Sequence, residues 1–274
     1  MRQHTGNGRR IRVAEPDTVR GFSLRIFLPG GTPDGLRTID KSNWTGKGVA
    51  CSRPLLATTK NRPEFDRTGV YILTGPAETS GLLWVYVGES ESIRARLVQH
   101  AGQKEFWTQA VFFVSKDDDL NKAHVQYLEA RLLEMAREVK RCELDNGNEP
   151  NKPSISEADT QYMEGFLDEL LVCLPVLGIS VFLKPERPAE SAARLFLKLR
   201  DIEASGYKTA DGFVVVAGST ANLDEVPSLD AATTALRKSL VERAILVPDG
   251  AGLRVQRPIV GVCRDAGPYF QQPR

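Results

Sequence analysis

Two short runs determine the expected architecture: Gly-Val-Tyr-Ile-Leu-Thr at residues 69–74 and Leu-Leu-Trp-Val-Tyr-Val-Gly at residues 82–88. Both are rich in β-branched and aromatic residues, which favour strands. The segment between them contains Gly75-Pro76 and Ser80-Gly81, which are turn signals. The pattern therefore predicts an antiparallel hairpin with a long loop.

The segments around the hairpin predict a mixture of strands and helices. Ser90 or Ser92 is positioned to cap a helix that runs to about Gln103. The acidic run 117–119 marks the expected start of a long helix that continues from about Leu120 to Arg141. Ser156 begins a further amphipathic helix that ends near residue 174. Other strands are expected at 22–28, 36–39, 106–114, 195–199, 213–216 and 253–256, and another helix at 229–242.

The fold class that follows is α+β, with a small mixed or antiparallel sheet flanked by helices and a smaller C-terminal α/β domain. Breakers rich in Pro, Gly and Asn suggest the boundaries. The expected units are a disordered basic arm at 1–20, a β-rich extension at 21–67, a central domain at 68–153, a helical connector at 154–184 and the C-terminal domain at 185–274.

Composition places the chain among ordinary globular proteins, with 41% hydrophobic and 26% charged residues. No apolar run approaches the roughly 20 residues of a membrane helix, and the N-terminus has no apolar segment typical of a secretory signal. The four cysteines form no CxxC pair, which disfavours a zinc ribbon and favours free thiols in a reducing compartment. We therefore expect a cytoplasmic protein without a membrane partner.

Charge is unevenly distributed along the chain, although the net charge is only +1. Residues 1–67 carry 13 Lys and Arg against 6 Asp and Glu, whereas residues 68–189 carry 12 against 19. If the partner is a nucleic acid, residues 1–67 are expected to contribute the phosphate contacts. A basic segment without any partner is the simpler alternative.

The predicted helix after the hairpin carries Arg96 and His100 on the same face as Ile93 and Leu97. An arginine on a face that also carries apolar residues needs an anion, and its guanidinium can bind a phosphate through two hydrogen bonds. The alternative is a partly exposed helix on which the arginine extends to solvent.

The second long helix carries Glu129 within a stripe formed by Val125, Leu132, Ala136 and Val139. A carboxylate among apolar neighbours is costly unless it is paired or binds a metal. An ion pair with an arginine remains the alternative. Tyr71 and Tyr86 are also open to two interpretations. A single tyrosine on a strand usually packs in a core or an interface, but the hydroxyl of a tyrosine near a strand end can point into a cleft while its ring packs.

Residues 69 to about 150 resemble the GIY-YIG nuclease superfamily, which has a small mixed sheet flanked by helices. Tyr71 and Tyr86 match the two motif tyrosines, with Val70 and Val87 in place of the more usual isoleucines. Arg96 matches the family arginine, His100 resembles the histidine of the restriction and homing branches, and Glu129 matches the metal-binding glutamate. Glu89 departs from the lysine that some members carry at that point.

The resemblance implies a metal-dependent endonuclease that hydrolyses phosphodiester bonds, with Mg²⁺ or Mn²⁺ bound by Glu129. The family also has an asparagine after the second long helix, for which Asn146, Asn148 and Asn151 compete, with Asn146 or Asn148 favoured. Residues 212–219, together with the apolar segments near 236, 245–247 and 252–253, resemble an uncharacterised domain that often follows bacterial members.

The expected substrate is DNA, and the expected role is restriction or antiphage defence, by analogy alone. A homodimer is possible, because one active site cuts both strands only in a dimer or by two sequential nicks. The alternative function is a catalytically inactive module of the same fold that binds nucleic acid.

Overall fold

The computed structural model describes residues 21–77, 82–147, 152–184, 194–199, 201–209, 212–224, 231–250 and 252–261. The main sheet has seven strands, β1 Leu24–Phe27, β2 Arg37–Lys41, β3 Gly46–Ser52, β4 Gly69–Pro76, β5 Leu83–Ser90, β6 Gln109–Ser115 and β7 Cys142–Leu144. Its order is β1-β2-β3-β6-β4-β5-β7, and every pair is antiparallel except β5 with β7.

Five helices accompany the strands: α1 Leu56–Thr59, α2 Ile93–Gln103, α3 Lys122–Val139, α4 Glu157–Val176 and α5 Ala231–Glu242. The C-terminal region forms two further sheets from β8 Leu195–Leu199, β9 Ile202–Thr209, β10 Gly212–Val215, β11 Thr220–Asn222, β12 Leu246–Asp249, β13 Gly252–Val255 and β14 Ile259–Gly261. Their orders are β14-β10-β9-β8 and β11-β13-β12. The predicted α+β class is confirmed.

The main sheet separates two apolar cores because side chains alternate along each strand. Val70 and Ile72 of β4 point into a core with α3 and α4, whereas Tyr71 and Leu73 point into a core with α2. Residues 154–184, expected as a connector, contain α4, and buried α4 residues such as Phe166 contribute to the core on one side of the sheet.

The hairpin prediction is confirmed, because β4 and β5 pair from Gly69 opposite Ser90 to Pro76 opposite Leu83. The sequence interpretation missed β3, which pairs along its whole length with β6 and joins the extension 21–67 to the same sheet. Its Gly-Lys-Gly-Val-Ala-Cys-Ser run carries two glycines, which weaken a strand signal. The expected arm at 1–20 and the Pro-rich stretch at 185–190 lie outside the described residues.

Helix starts follow local capping chemistry, with one correction. Ser92 and Ser156 cap α2 and α4 as predicted, each side-chain oxygen accepting a hydrogen bond from a first-turn amide. The long helix expected from about Leu120 to Arg141 is confirmed as α3, but the acidic run 117–119 does not form its first turn. Asp118 lies in a turn with φ of 55°, and Asn121 caps the helix in a capping box with His124.

Candidate active site

The two motif tyrosines lie on one face of the hairpin, facing α2. Tyr71 of β4 is opposite Gly88 of β5, and Tyr86 is two residues before Gly88, so both rings project to the same side. Their ring centroids are 6.1 Å apart. A Cβ atom at position 88 would lie 2.3 Å from the Tyr71 hydroxyl oxygen. The glycine of the second triplet thus makes room for the Tyr71 ring.

His100 completes an aromatic cluster with these tyrosines. It is buried on the inner face of α2, and its Nε2 atom lies 2.7 Å from the Tyr71 hydroxyl, within a hydrogen bond. Its ring centroid is 5.0 Å from that of Tyr86. Its Nδ1 atom is buried without a hydrogen-bond partner in the described part of the chain. The imidazole therefore has one strong protein partner, the Tyr71 phenol.

Burial keeps both members of this pair neutral near pH 7. Desolvation, together with the positive charges of Arg96 and Lys104, lowers the pKa of His100 to about 4. Desolvation and the neighbouring Tyr86 phenol raise the pKa of Tyr71 above its ordinary value, although Arg96 opposes this. Near pH 7 the short contact between Tyr71 and His100 is therefore a hydrogen bond between two neutral groups.

Arg96 lies between the aromatic cluster and two carboxylates. It is half-buried on α2 and donates a hydrogen bond of 2.8 Å to the side chain of Gln99. Although burial opposes it, the net effect of Tyr71, Tyr86 and Glu89 is to raise the pKa of Arg96. The guanidinium is therefore charged at any physiological pH and available to an anion.

Glu129 is half-buried on α3, between the core residues Val125 and Leu132. Burial, followed by the negative charge of Glu89, raises its pKa to about 7, against the opposing effects of Lys122 and Arg96. Glu89 itself accepts hydrogen bonds of 2.7 and 2.8 Å from the Lys122 ammonium. The alternative to metal binding, an ion pair with an arginine, is not found for Glu129 among the described residues. A lone carboxylate in this setting is stabilised by any cation that reaches it.

The donor set fits a single hard cation that keeps most of its water. No group of three or more His, Cys, Asp and Glu side chains is arranged to hold a metal ion within the described ranges. Mg²⁺ is commonly held by one or two carboxylates with water completing its shell, and Mn²⁺ also accepts carboxylate and water ligands. Glu129 would hold such an ion, because no ammonium or guanidinium among the described residues bonds to its carboxylate.

Asn146 has a structural role that the sequence did not indicate. Its side-chain oxygen accepts a hydrogen bond of 3.0 Å from the Val87 amide, and its side-chain nitrogen donates one of 2.8 Å to the Val87 carbonyl. Its amide group is thus occupied in extending the β5–β7 pairing. Asn148 and Asn151 lie outside the described residues.

Lys104 and Asp145 belong to the site and were missed. The Lys104 ammonium lies 4.5 Å from the centroid of the Tyr86 ring and forms an ion pair with Asp145. Lys104 follows His100 by four residues, as His100 follows Arg96. This i, i+4 spacing was a usable signal for Lys104. The partner Asp145 depends on the chain returning beside β5.

Most basic residues described between 21 and 67 already have intramolecular partners. The ion pairs are Lys41 with Glu169, Lys47 and Arg62 with Glu64, and Arg67 with Asp118. The carboxylate of Glu64 has its pKa lowered to about 2 by these cations, although burial opposes them. The charge excess in this segment thus supplies fewer free cations for phosphates than composition suggested. Residues 1–20 lie outside the described part.

A groove of about 780 Å³ lies away from the tyrosine cluster, beside β1, β2 and the turn into β3. Its lining includes Arg25, Asp40, Lys41, Lys116 and Asp117. Both signs of charge are present, and Lys116 lies 3.8 Å from Asp40. The lining carries four basic residues, Lys47 among them, against two acidic ones, but Lys41, Lys47 and Lys116 each pair with a carboxylate.

Comparison with known protein families gives one match, to the C-terminal region. Residues 195–259 match the model of a domain of unknown function, DUF4357. This is the region in which the sequence indicated an uncharacterised domain. No curated protein and no solved structure matches the chain. Within the described residues, no helix has the length and apolar character needed to cross a bilayer.

Proposed function

We propose that this chain is a metal-dependent endonuclease that hydrolyses phosphodiester bonds, with DNA as the substrate and restriction or antiphage defence as the role. The observation that carries the proposal is the position of Arg96. Its charge acts on the Tyr71 phenol and on the Glu129 carboxylate, so both groups lie within electrostatic reach of one guanidinium. The resemblance of residues 69–150 to GIY-YIG nucleases supports the same reaction.

In the proposed reaction, water attacks phosphorus and the bond between phosphorus and the leaving sugar oxygen breaks. Tyr71 orients the water and accepts its proton while passing its own phenolic proton to Nε2 of His100. The short Tyr71–His100 contact provides the path for this proton, and the negative charge of a bound phosphodiester would favour the imidazolium that burial and the two cations disfavour in the free site. A phenol of raised pKa is a poor base alone, so the histidine acceptor is essential to the step.

Charge on the phosphoryl oxygens is stabilised by the Arg96 guanidinium, which can form two parallel hydrogen bonds. Tyr86 positions the phosphate or the water from the neighbouring strand. A divalent cation bound at Glu129 would supply Lewis-acid stabilisation of the scissile phosphate and the leaving oxygen. Breakage of both strands requires two copies of the site or two successive nicks, which makes a homodimer part of the proposal.

The test is cleavage by the purified full chain of supercoiled plasmid, single-stranded DNA and RNA, each with Mg²⁺, Mn²⁺ or a chelator. Glu129→Gln and Arg96→Ala are expected to lose most turnover, at least 100-fold for the arginine. Glu138→Gln is the matched control, because it makes the same change at an exposed position of the same helix.

Metal-dependent cleavage that disappears with Glu129→Gln and survives Glu138→Gln supports the proposal. Absence of cleavage with every substrate and metal refutes it. Retained binding of DNA in that case favours the alternative, an inactive nucleic-acid-binding module. Equal cleavage by the wild-type chain and Glu129→Gln removes the glutamate from its role.

A further inference from the structure

We propose that Lys104, held by Asp145, is a positioning residue of this site that orients the Tyr86 ring and acts electrostatically on His100. The inference rests on the proposed function for its consequence on cleavage rate. Neither Lys104 nor Asp145 belongs to the motif residues on which the resemblance to nucleases is based.

Lys104 is held at three points where α2 ends. Its amide donates a hydrogen bond of 2.9 Å to the His100 carbonyl, which ends the helix. Its carbonyl accepts a hydrogen bond of 2.9 Å from the guanidinium of Arg53, which also binds the Ala101 carbonyl at 2.8 Å. Its side chain pairs with Asp145. These contacts give the long side chain a defined direction.

Asp145 is also fixed, because its amide donates a hydrogen bond of 2.9 Å to the Val85 carbonyl of β5. The next residue, Asn146, grips Val87 of the same strand. The Lys104–Asp145 pair therefore ties the end of α2 to the strand that carries Tyr86.

The ammonium of Lys104 lies on the face of the Tyr86 ring, 4.5 Å from its centroid, where the ring quadrupole attracts a cation. It is 5.9 Å from the centroid of Phe106 on another side. A half-buried tyrosine beside a cleft can rotate, and a cation held on one face opposes that rotation. Because the ammonium stays on this face of the ring, we expect the Tyr86 hydroxyl to keep pointing toward Tyr71 and His100.

Five groups with titratable or charged side chains face His100. Tyr71 and Tyr86 approach from the strands, Arg96 and Lys104 from α2, and Asp145 from the segment after β7. The two cations lower the pKa of the imidazole, and Asp145 raises it. Lys104 and Asp145 therefore act on His100 in opposite directions, although they form one ion pair.

The experiment is an NMR titration of the imidazole resonances in the full chain, for wild type, Lys104→Met and Asp145→Asn. The chain has three histidines, at positions 4, 100 and 124, and the loss of one signal in His100→Gln assigns the relevant resonance. Lys198→Met is the control, since it removes a lysine that pairs with Glu203 in the C-terminal sheet.

We expect Lys104→Met to raise the His100 midpoint by about one pH unit from its value near 4, because one nearby positive charge is removed. Asp145→Asn is expected to lower the midpoint, and Lys198→Met to leave it unchanged. A merely structural role for Lys104 would not produce shifts of opposite sign. Turnover of Lys104→Met should fall roughly tenfold through kcat, with KM nearly constant, because the loss of Tyr86 orientation outweighs the gain from a more basic imidazole.

Midpoints that stay fixed, or that move in the same direction in both variants, would overturn the inference. If Lys104→Met does not fold, the shift in Asp145→Asn decides the matter alone. If the two variants shift the His100 midpoint in opposite directions but the wild type cleaves none of the three substrates, the role of Lys104 stands and the endonuclease is rejected. If the wild type cleaves and Lys104→Met changes neither the His100 midpoint nor the turnover, the endonuclease stands and the role of Lys104 is rejected.

Discussion

Replacement of Glu129 by glutamine tests the metal hypothesis without relying on catalysis. The substitution keeps the size and shape of the side chain and removes its charge. In the folded chain, burial and the negative charge of Glu89 raise the pKa of Glu129 from 4.5 to about 7. In the unfolded chain the carboxyl titrates near its ordinary value. The two states therefore bind different numbers of protons between these two pH values.

The sign follows from the direction of that difference. The folded state holds the Glu129 proton more tightly than the unfolded state does. The contribution of Glu129 to the free energy of unfolding therefore falls as the pH rises from about 4.5 to about 7, and it does not change further above pH 7. A difference of that size corresponds to at most about 3 kcal/mol, and partial exposure of the carboxyl reduces the expected effect to about 1–2 kcal/mol. Glu129→Gln has no such group and should lack this decline.

The assay is urea unfolding of both chains at pH 4.5 and pH 8, with and without 10 mM MgCl₂. Relative to wild type, Glu129→Gln should gain about 1–2 kcal/mol between the two pH values. Addition of Mg²⁺ at pH 8 should stabilise wild type by about 1.4 kcal/mol if the dissociation constant is on the order of 1 mM, and the variant not at all. Glu138→Gln should respond as wild type does.

Parallel stability profiles of wild type and Glu129→Gln would refute the reasoning, because they would mean that Glu129 ionises normally in the folded chain. Equal stabilisation of both chains by Mg²⁺ would place the cation elsewhere. Either result would remove the lone carboxylate on which the proposed site depends.

Three further substitutions test the packing and the hydrogen bonds that support the site, each by urea denaturation followed by circular dichroism. Gly88→Ala should destabilise the fold by about 1–3 kcal/mol, because the new methyl group overlaps the Tyr71 hydroxyl; an unchanged midpoint would contradict this packing. Asn146→Ala should cost about 1–3 kcal/mol, because both backbone groups of Val87 lose their partner; loss of cleavage at full stability would instead indicate a catalytic asparagine. Arg53→Met should cost about 2 kcal/mol, since several carbonyls at the end of α2 lose a charged donor, and a change below 0.5 kcal/mol would argue against that role.

Much of the fold was predictable because its signals are local. The hairpin of β4 and β5 follows from two β-rich runs separated by turn residues, and the caps Ser92 and Ser156 lie directly before amphipathic stripes. The cap of α3 was not predicted, because three consecutive aspartates suggested a helix start more strongly than the single Asn121 did. The glycine-containing strand β3 was missed because its partner β6 stabilises it from outside the segment.

The aromatic and charged part of the candidate site was partly predictable for the same reason. Arg96 and His100 share a helix face by spacing alone, and Glu129 interrupts an apolar stripe that can be recognised in the sequence. The role of Asn146 was not predictable, because its amide binds Val87, 59 residues earlier in the chain.

The sequence by itself determined which residues could share a face of one element: helical spacing aligned Arg96 with His100, and it placed Glu129 in an apolar stripe. The register of β4 with β5, which places both tyrosines on one side of the hairpin, came from the structure. Only the tertiary structure decided what those faces meet. The return of the chain along β7 brings Asp145 to Lys104, and Arg53 reaches the end of α2 from 51 residues before Lys104. Periodicity acts over a few residues, whereas these contacts depend on how strands order themselves in the sheet, and burial between the packed layers then sets the charge states of His100 and Glu129.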